Sequence, residues 1–573
     1  MKKLLEWWAD RGEWIDPIVQ YRFFRHAWPF AIFGVIVCAI TAPLFGEGYL
    51  FFTDMVWGPN MSIDQQLSAG LHSSFPLMAG ILFFAQFVPI FVLQQLVIFG
   101  TLFCIPVGMY VLARLRSTRA MSTVSGILYL CNPFVLERFL VGHWLVLLGY
   151  AFLPVMIRFV LLFLSNPTGR SFVGAVSVVV YFPWISQHFA YIGYLMLPIV
   201  VFFALLLRGK LWWLKTAKSF GAFIVLGVAF LVVNAFWLFS LFGVGGKYEA
   251  FSLADFRAFA TQPDPVYGVY VNVLALYGFW REGIEVLPKD ITDFWWMIPL
   301  IIILLSCLGI VRAISRRDPL ASALSVIFPI AFILSIGFAT PWTESLTTKF
   351  VEIIPGFRGL RETGKVIGVI AFTYALYAPV GVRVLARLIA QAWEDFAQRR
   401  RVMKRVIRIQ LVILGCLGCL SVSTMFSGNM GIFQATPYPE DWQVAREFLK
   451  SDHARGSTLV LPWHMYLVFP WAGSLPIANP ADLVFPPPII SSTYLGNAYL
   501  ENERFDPWDE VLFSLLQDDS KRDEAIQALR AHGVTHVVLY RASDSHRYLF
   551  LNDERTFSKV MEGKTLILYR VIE

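Results

Sequence analysis

Long apolar runs separated by short polar stretches fill the first three quarters of this sequence. A bilayer core of about 30 Å is crossed by a helix of about 20 residues. That length predicts about eleven transmembrane helices, at approximately 27–45, 92–113, 120–137, 142–163, 171–187, 189–207, 219–243, 294–313, 319–339, 366–386 and 407–426. The pattern is therefore typical of a polytopic α-helical membrane protein.

Two further segments are not predicted to cross the membrane. The apolar segment 75–94 is interrupted by Gln86 and Pro89, so we predict that it lies along the membrane or is re-entrant. Residues 1–26 are charged, rich in Trp and broken by Pro17, with no apolar core ahead of a small-residue cleavage site. They are expected to remain as a cytoplasmic or interfacial segment.

The basic residues predict the orientation. Lys and Arg gather in clusters between the apolar runs, at 22–25, 114–119, 170, 208–218, 312–317 and 387–408. With an odd number of spans and the N-terminus inside, all of these clusters face the cytoplasm, and the C-terminus lies outside. The net charge of +7 then has a topological origin, so nucleic acid is not an expected partner.

The chain changes character after about residue 427, where charges are spread evenly and helix and strand signals alternate. Helices are predicted at 442–450 and 520–531, and strands at 457–461, 535–540 and 565–571. We therefore predict an extracytoplasmic α/β domain over 428–573. The transmembrane domain over 27–427 would face it with outer loops 46–91, 244–293 and 340–365.

The six cysteines all lie in apolar stretches, so no disulfide framework is expected. Cys416 and Cys419 form a CxxC inside an apolar run, where thiols are small buried hydrophobic groups. The sequence contains no Gly-rich phosphate loop, HExxH or GxSxG motif. Any chemistry must therefore come from scattered polar residues beside the spans.

The first outer loop, GEGYLFFTDMVWGPN, places Asp54 among aromatic residues directly after the first span. A partly desolvated carboxylate at a membrane surface can act as a general base or hold a divalent cation such as Mg²⁺ or Mn²⁺. The plain alternative is a solvated loop aspartate. The sequence leaves the cofactor, including any metal, unknown.

The stretch NPFVLERFLVGHW places Glu137, Arg138 and His143 in a predicted short outer turn. Ionisable residues this close to lipid are costly unless they are paired or face a polar cavity, which indicates a substrate-binding site. The alternative is a surface pair of Glu137 with Arg138, with His143 at the interface. His188, in WISQHF, either joins the same cavity or is structural.

The loop PGFRGLRETGK supplies Arg358, Arg361 and Lys365 against the single Glu362. Positive-inside bias makes such a cluster unexpected on the outer side, so we predict that it binds a phosphate or contacts anionic lipid.

The loop 244–293 contains an aromatic run that begins at Tyr277 and ends at Trp280. Such a ring can hold a sugar by stacking, or it can anchor the chain at the membrane interface.

These features occur together on one predicted side of the membrane, and that layout resembles the GT-C superfamily of membrane glycosyltransferases. The motifs FTDMVWGPN, NPFVLERFLVGHW, LYGFW and FRGLRETGK look most like the branch that includes YfhO-like proteins and mycobacterial-type arabinofuranosyltransferases. The resemblance implies transfer of a sugar from a polyprenyl-phosphate donor to an extracytoplasmic glycan, lipid or protein acceptor.

Carried onto this sequence, the resemblance implies that Asp54 is the catalytic base or helps to bind a metal. It also implies that Arg361 and Lys365, with Arg138 as a third group, neutralise the departing lipid phosphate. Enzymes of this superfamily often have paired acids in the first loop, whereas Asp54 has no acidic neighbour nearer than Glu47 and Asp64. Metal dependence is left open for that reason.

Two other classes of function remain. A transporter or flippase of lipid-linked intermediates would need ionisable residues near the middle of the membrane, where Arg158 is a candidate. In a non-catalytic scaffold for glycan assembly, the site residues would have no reason to share a cavity.

Overall fold

The computed structural model describes residues 17–68, 71–207, 212–242, 252–281, 286–354, 356–391, 396–452, 456–473, 475–492 and 522–572. Predictions for residues 1–16, for the start of the loop 244–293 and for the start of the helix 520–531 lie outside these residues. The α-helices of the membrane part are Pro17–Thr41, Ile63–Ser68, Phe75–Phe84, Ile90–Ala113, Arg119–Leu130, Pro133–Leu140, Trp144–Ser165, Gly169–Ile185, Gln187–Leu206, Trp212–Phe242, Leu253–Ala258, Gly268–Leu274, Pro288–Ile291, Met297–Ile314, Pro319–Ile336, Pro341–Ile353, Ile367–Ala390, Phe396–Leu420 and Phe426–Met430.

Seven of the described helices are long and apolar enough to cross a membrane, or eight if the bent pair Arg401–Leu420 and Ser423–Met430 forms one span. Hydrocarbon cannot satisfy backbone polar groups, so helices of this kind define a multi-pass membrane protein. The number of eleven spans and the orientation of the termini stay predictions. The Phe75–Phe84 helix has ten residues, about half the length that a bilayer core requires, so it does not cross as a straight helix.

The predicted single span over 120–137 is wrong, because the chain breaks into the helices Arg119–Leu130 and Pro133–Leu140. Asn132 makes the break. Its amide donates to the Leu128 and Tyr129 carbonyls at 3.0 and 2.8 Å, and its side-chain oxygen accepts from the Val135 amide at 3.2 Å. Pro133 then begins the second helix, where its missing N–H costs nothing.

The second helix, Pro133–Leu140, is buried along its whole length. The predicted short outer turn at 137–143 is therefore also wrong. Glu137 and Arg138 lie on an interior helix, and only His143 follows it.

The C-terminal part is a sheet domain. Strands β1 (Ser457–Leu461), β4 (Ile489–Ile490), β5 (Val534–Tyr540), β6 (Phe557–Glu562) and β7 (Leu566–Val571) form a five-stranded sheet in the order β4-β1-β5-β7-β6, and β2 (Tyr466–Leu467) pairs with β3 (Ile477–Ala478). Strands β4, β1 and β5 are parallel, whereas β7 and β6 are antiparallel to their neighbours. The helices are Glu440–Ser451, Ala481–Val484 and Arg522–Ala531.

The sequence correctly placed the helix at 442–450 and the strands at 457–461, 535–540 and 565–571, and it missed β6 and the three short strands. Strand β6 was missed because its polar side chains are exposed and no apolar run marks it.

The sheet domain is docked onto the first loop of the membrane part. The Ala478 amide donates to the Thr53 carbonyl at 2.8 Å, and the Tyr438 hydroxyl donates to the Trp57 carbonyl at 2.9 Å. Gly58 permits this approach, since a Cβ at that position would lie 2.5 Å from the Leu483 carbonyl oxygen. The loop that contains Asp54 is therefore held by backbone contacts from the C-terminal domain.

The same docking gives the two parts a common core. Phe51 and Val56 of the first loop pack into the aromatic cluster of the sheet domain, whose centre is Trp442 stacked on Tyr540 with ring centroids 4.5 Å apart. Burial of large aromatic side chains dominates the stability of such cores.

Replacing Trp442 by Ala should therefore destabilise the sheet domain and loosen its hold on the first loop. Trp442 is fully buried, and aromatic-to-alanine changes in a core cost about 3–5 kcal/mol. The measurement is thermal unfolding of the detergent-purified chain. Val444→Ala on the same helix is the control, because Val444 is 51% exposed and should leave the melting temperature unchanged. Equal melting of both variants would contradict the assigned core.

Candidate functional site

Asp54 is the meeting point of three distant parts of the chain. Its backbone amide donates to the Val141 carbonyl at 2.9 Å. His143 Nε2 lies 2.7 Å from Asp54 Oδ2, and the Tyr466 hydroxyl of β2 donates to Oδ1 at 2.6 Å. The side chain is 29% exposed, so the carboxylate is oriented on both oxygens and still reaches solvent.

The surroundings of Asp54 favour its ionised form. Burial alone would raise its pKa, but the hydrogen bonds from His143 and Tyr466 and the positive charge of Arg281 outweigh burial and lower the pKa below the ordinary value. Tyr466 shows the reverse effect, since burial and the neighbouring Asp54 charge raise its pKa. The pair therefore consists of a carboxylate and a neutral phenol.

A glycine brings His143 to Asp54. Gly142 has φ of +79°, and a Cβ there would lie 2.6 Å from the Phe52 Cβ and 2.7 Å from the Met55 Cβ. The first loop can therefore pack directly against residues 141–143, which sets the His143 ring beside the carboxylate.

His143 connects Asp54 to the interior. Its Nδ1 lies 3.4 Å from Arg138 Nη1. A guanidinium only donates hydrogen bonds, so this contact assigns Nδ1 as the acceptor and Nε2 as the N–H that donates to Asp54. Arg138 thus fixes the tautomer of His143, and His143 fixes the orientation of Asp54.

Behind His143 lies a buried charge group of Arg138, Glu362 and Lys365. Arg138 pairs with Glu362, and Lys365 Nζ lies 3.1 Å from Glu362 Oε2. The Arg138 guanidinium carbon also lies 4.4 Å from the Phe279 ring centroid, which adds a cation–π contact. Burial would raise the pKa of Glu362, but the charges of Arg138 and Lys365 hold that pKa far below its usual range. The group therefore carries two positive charges and one negative charge out of water.

The alternative pairing of Glu137 with Arg138 is wrong. Glu137 Oε1 accepts instead from the backbone amides of Gly278 and Phe279, at 3.3 and 3.5 Å. Glu137 therefore holds the 277–281 segment against the membrane domain, and Arg138 is left to pair with Glu362.

Aromatic rings and two arginines form the rim beside Asp54. The Arg361 guanidinium carbon lies 4.5 Å from the Phe259 centroid, Phe259 contacts Trp280 at 4.8 Å, and Arg281 lies 5.7 Å from the Trp280 centroid. The charges of Arg281 and Arg361 both act on Tyr466. The predicted residues Trp280 and Arg361 thus share one rim near Asp54.

Arg358 and His188 lie in a separate cavity of about 630 Å³, formed by the Gln187–Leu206 helix and the 351–360 segment. Tyr191 and Trp237 form apolar walls there. His188 is within electrostatic range of Lys365 and Glu362. His188 therefore links the cavity electrostatically to the buried charge group.

Metal ions in proteins are usually held by three or more side chains. Among the described residues, no group of three or more His, Cys, Asp or Glu side chains is placed to hold an ion. Asp54, which is hydrogen-bonded to His143 and Tyr466, would supply a single carboxylate ligand.

The structure adds four residues that the sequence did not single out as members of the site: Glu362, Tyr466, Arg281 and Phe279. An acid inside a basic loop at a membrane surface is a signal that could have found Glu362. Tyr466 is 412 positions from Asp54, and no local pattern links them.

Several solved structures are similar to this chain. The arabinofuranosyltransferase AftD from Mycobacteria superposes with a TM-score of 0.62 at 13% identity, over 96% of this chain and 40% of AftD. ArnT from Cupriavidus metallidurans gives 0.44 at 11% identity over 95% and 97% of the two chains, and the Archaeoglobus fulgidus oligosaccharyltransferase gives 0.46 at 12% over 89% and 67%. No protein-family model and no curated protein matches the sequence.

AftD is a GT-C glycosyltransferase, so the resemblance predicted from the sequence is confirmed at the level of the fold. The chain is a multi-pass membrane protein that shares its fold with the matched part of AftD. It spans about 40% of the length of AftD.

Glu362→Gln should destabilise the protein strongly. It leaves two buried cations without their anion, and breaking a buried ion pair costs about 3–5 kcal/mol. Glu344→Gln is the matched control, because its pair with Arg257 involves a 60% exposed guanidinium and is worth about 0–1 kcal/mol. Thermal melting of both variants in detergent measures the difference. A similar melting temperature for both would show that the buried group is not paired as described.

Proposed function

We propose that this protein is a membrane glycosyltransferase that moves a sugar from a polyprenyl-phosphate donor to an extracytoplasmic glycan, lipid or protein acceptor. The observation that carries the proposal is the Asp54 carboxylate, oriented on one oxygen by His143 and on the other by Tyr466. It lies beside a cationic rim, and contacts through His143, Arg138 and Glu362 connect it to the start of the Thr363–Ala390 span, which contains Lys365.

Asp54 is the general base of the proposed reaction. A carboxylate has about four lone-pair sites, so the two existing hydrogen bonds leave room for an acceptor hydroxyl. The acceptor oxygen attacks the anomeric carbon, its proton passes to Asp54, and the bond from that carbon to the phosphate oxygen breaks. The phosphate leaves with the bonding electrons.

Cations stabilise the leaving phosphate. Arg361 lies on the rim, and Lys365 belongs to the buried group that has one more positive charge than negative charge. Fixed positive charge in a region of low dielectric favours a developing anion more than the same charge would in water. Arg138 acts through His143 and Glu362, so it is a positioning residue.

The cavity that holds Arg358 and His188 suits the lipid part of the donor. Most of its lining is apolar, with Glu352 and Arg358 among the polar members, and His188 in that lining is within electrostatic range of Lys365. A polyprenyl chain in this cavity would place its phosphate between Arg358 and the buried charge group.

The proposed orientation follows from the distribution of cations. Arg116, Arg316 and Arg387 lie at helix ends opposite the Asp54 site, and positive-inside bias assigns that end to the cytoplasm. The site and the sheet domain would then be extracytoplasmic. Nucleotide sugars are cytoplasmic, so a lipid-linked donor matches this side.

The two alternatives fit the site less well. Arg158 donates to the Val111 carbonyl near the end of the Ile90–Ala113 helix, so it does not supply a charge for a transporter at mid-membrane. A scaffold gives no reason for the oriented carboxylate. Translocation of a lipid-linked sugar without transfer would favour the transporter.

Asp54→Asn should lower turnover by about 10²–10⁴-fold, since a positioned general base contributes that much. The assay uses purified protein with a panel of labelled polyprenyl-phosphate pentoses and hexoses, and cell-envelope membranes as the acceptor source. Asp64→Asn, an exposed acid in the same loop, should retain wild-type turnover. Wild-type activity in the Asp54 variant would remove its catalytic role.

Tyr466→Phe should shift the acidic limb of the pH–rate profile to higher pH. Asp54 has a depressed pKa, so activity that needs the carboxylate is lost only as pH falls through that low value. Removing the Tyr466 hydrogen bond raises the pKa of Asp54, so the loss of activity begins at a higher pH. Tyr548→Phe removes a different hydroxyl contact in the sheet domain, at the Trp463 amide, and should leave the limb in place. An unmoved limb in the Tyr466 variant would contradict the assigned contact.

A further inference from the structure

A second lipid-facing groove lies at the end of the membrane domain away from Asp54, and we name it the basic-end groove. Its floor is one face of the Arg119–Leu130 helix, and its walls are the Pro17–Thr41 and Phe396–Leu420 helices. Its volume is about 860 Å³. The lining residues that matter here are Trp28, Ile36, Ile127, Arg408, Gly415 and Cys416.

The three helices run in the same direction away from the basic end. Trp28, Ala120 and Arg408 lie at the open mouth, and Ile36, Ile127 and Leu420 lie at the deep end. The floor helix packs against both wall helices. Beyond Leu420 the chain bends by 66°, which closes the groove.

The depth of the groove matches one leaflet. Twelve residues separate Arg408 from Leu420, which is about 18 Å of helix. Half of a bilayer core is about 15 Å. A partner transmembrane helix would need a surface about twice as long, whereas a lipid acyl chain needs only this length.

Charge at the mouth favours an anionic headgroup. Arg408 lines the groove, and Lys404 and Arg405 are exposed one turn earlier on the same helix. The floor helix begins at Arg119. None of the three helices contains Asp or Glu, so the mouth has only positive side chains from these elements. Trp28 has the position of an interfacial aromatic residue.

From this geometry we propose that the basic-end groove binds one anionic phospholipid, with an acyl chain between the three helices and the headgroup on Arg408. The lipid fills the gap beside the Arg119–Leu130 helix, and Asn132 after that helix caps the start of the buried helix with Arg138. The site is independent of the proposed glycosyl transfer.

Native mass spectrometry of the full-length chain, titrated with phosphatidylglycerol, tests the headgroup contact. We expect one tightly bound phosphatidylglycerol per chain, bound more tightly than phosphatidylcholine. Arg408→Gln should lower the affinity for phosphatidylglycerol about fivefold, which corresponds to about 1 kcal/mol per basic side chain at a membrane surface. Arg316→Gln removes an exposed cation from another loop and should not change binding.

Equal affinity for the two lipids, or equal loss in the two arginine variants, would overturn the proposal. Inorganic phosphate at the same concentration should not displace the lipid, because the acyl chain supplies the depth of the contact. Displacement by phosphate would reduce the site to a surface anion site and also overturn the proposal.

Gly415→Leu tests the acyl-chain contact. A Cβ at Gly415 meets only the Ile127 Cδ1, at 3.7 Å, and Leu is the better helix former, so the variant should melt at or above the wild-type temperature. Its side chain would fill the groove and abolish retention of phosphatidylglycerol. Retained lipid in a folded variant would contradict the placement.

Cross-linking at Cys416 tests the competing occupant. Cys416 is exposed on the groove wall, and a maleimide–diazirine cross-linker attached to it in native membranes would, on irradiation, insert into a neighbouring helix if one were seated there. A cross-linked dimer, or an adduct with another membrane protein, would assign the groove to a protein helix and overturn the lipid site. No adduct, together with bound phosphatidylglycerol, supports it.

Discussion

Glu362 is buried between Arg138 and Lys365, and the arrangement of the site depends on this charge group. A carboxylate and two cations leave water at a cost of several kcal/mol each unless they satisfy one another. That requirement fixes the buried Pro133–Leu140 helix against the loop before the Ile367–Ala390 helix. Arg138 then fixes the tautomer of His143, because a guanidinium can only donate to its Nδ1. His143 in turn orients Asp54. The Asp54 carboxylate is thus positioned from the interior outward.

The sheet domain also holds Asp54 in place, through contacts made from outside the membrane domain. Tyr466 reaches Asp54 from β2, and Phe51 of the first loop is packed inside the aromatic core of the domain. Backbone hydrogen bonds and a shared core hold the loop, so Asp54 has little freedom to leave its partners. Such preorganisation is valuable in catalysis, because charge that is already aligned needs no reorganisation during the reaction. The C-terminal domain is therefore part of the site and not an appended module.

The cationic side chains differ in burial between the two ends of the molecule. At the Asp54 end, Arg138 and Lys365 are paired with Glu362, and Arg361 is stacked on Phe259. At the opposite end, Arg408 and its neighbours are exposed beside an apolar groove. The same residue type has different physical roles in the two places. A stacked guanidinium group keeps a fixed position, whereas an exposed group is free to follow whatever anion comes near it.

The sequence by itself determined the membrane class, the helices with uniform apolar composition and the main strands of the sheet domain, because hydrophobic length and alternation are local properties. It also singled out Asp54, His143 and Lys365, since ionisable groups beside apolar runs are rare, and the structure connects these three through Arg138 and Glu362. It misjudged the break at Asn132, where capping outweighs an apolar run, and it could not find Tyr466. Only the tertiary structure decided which charges pair, because the energy of a buried ion depends on partners that are hundreds of residues away.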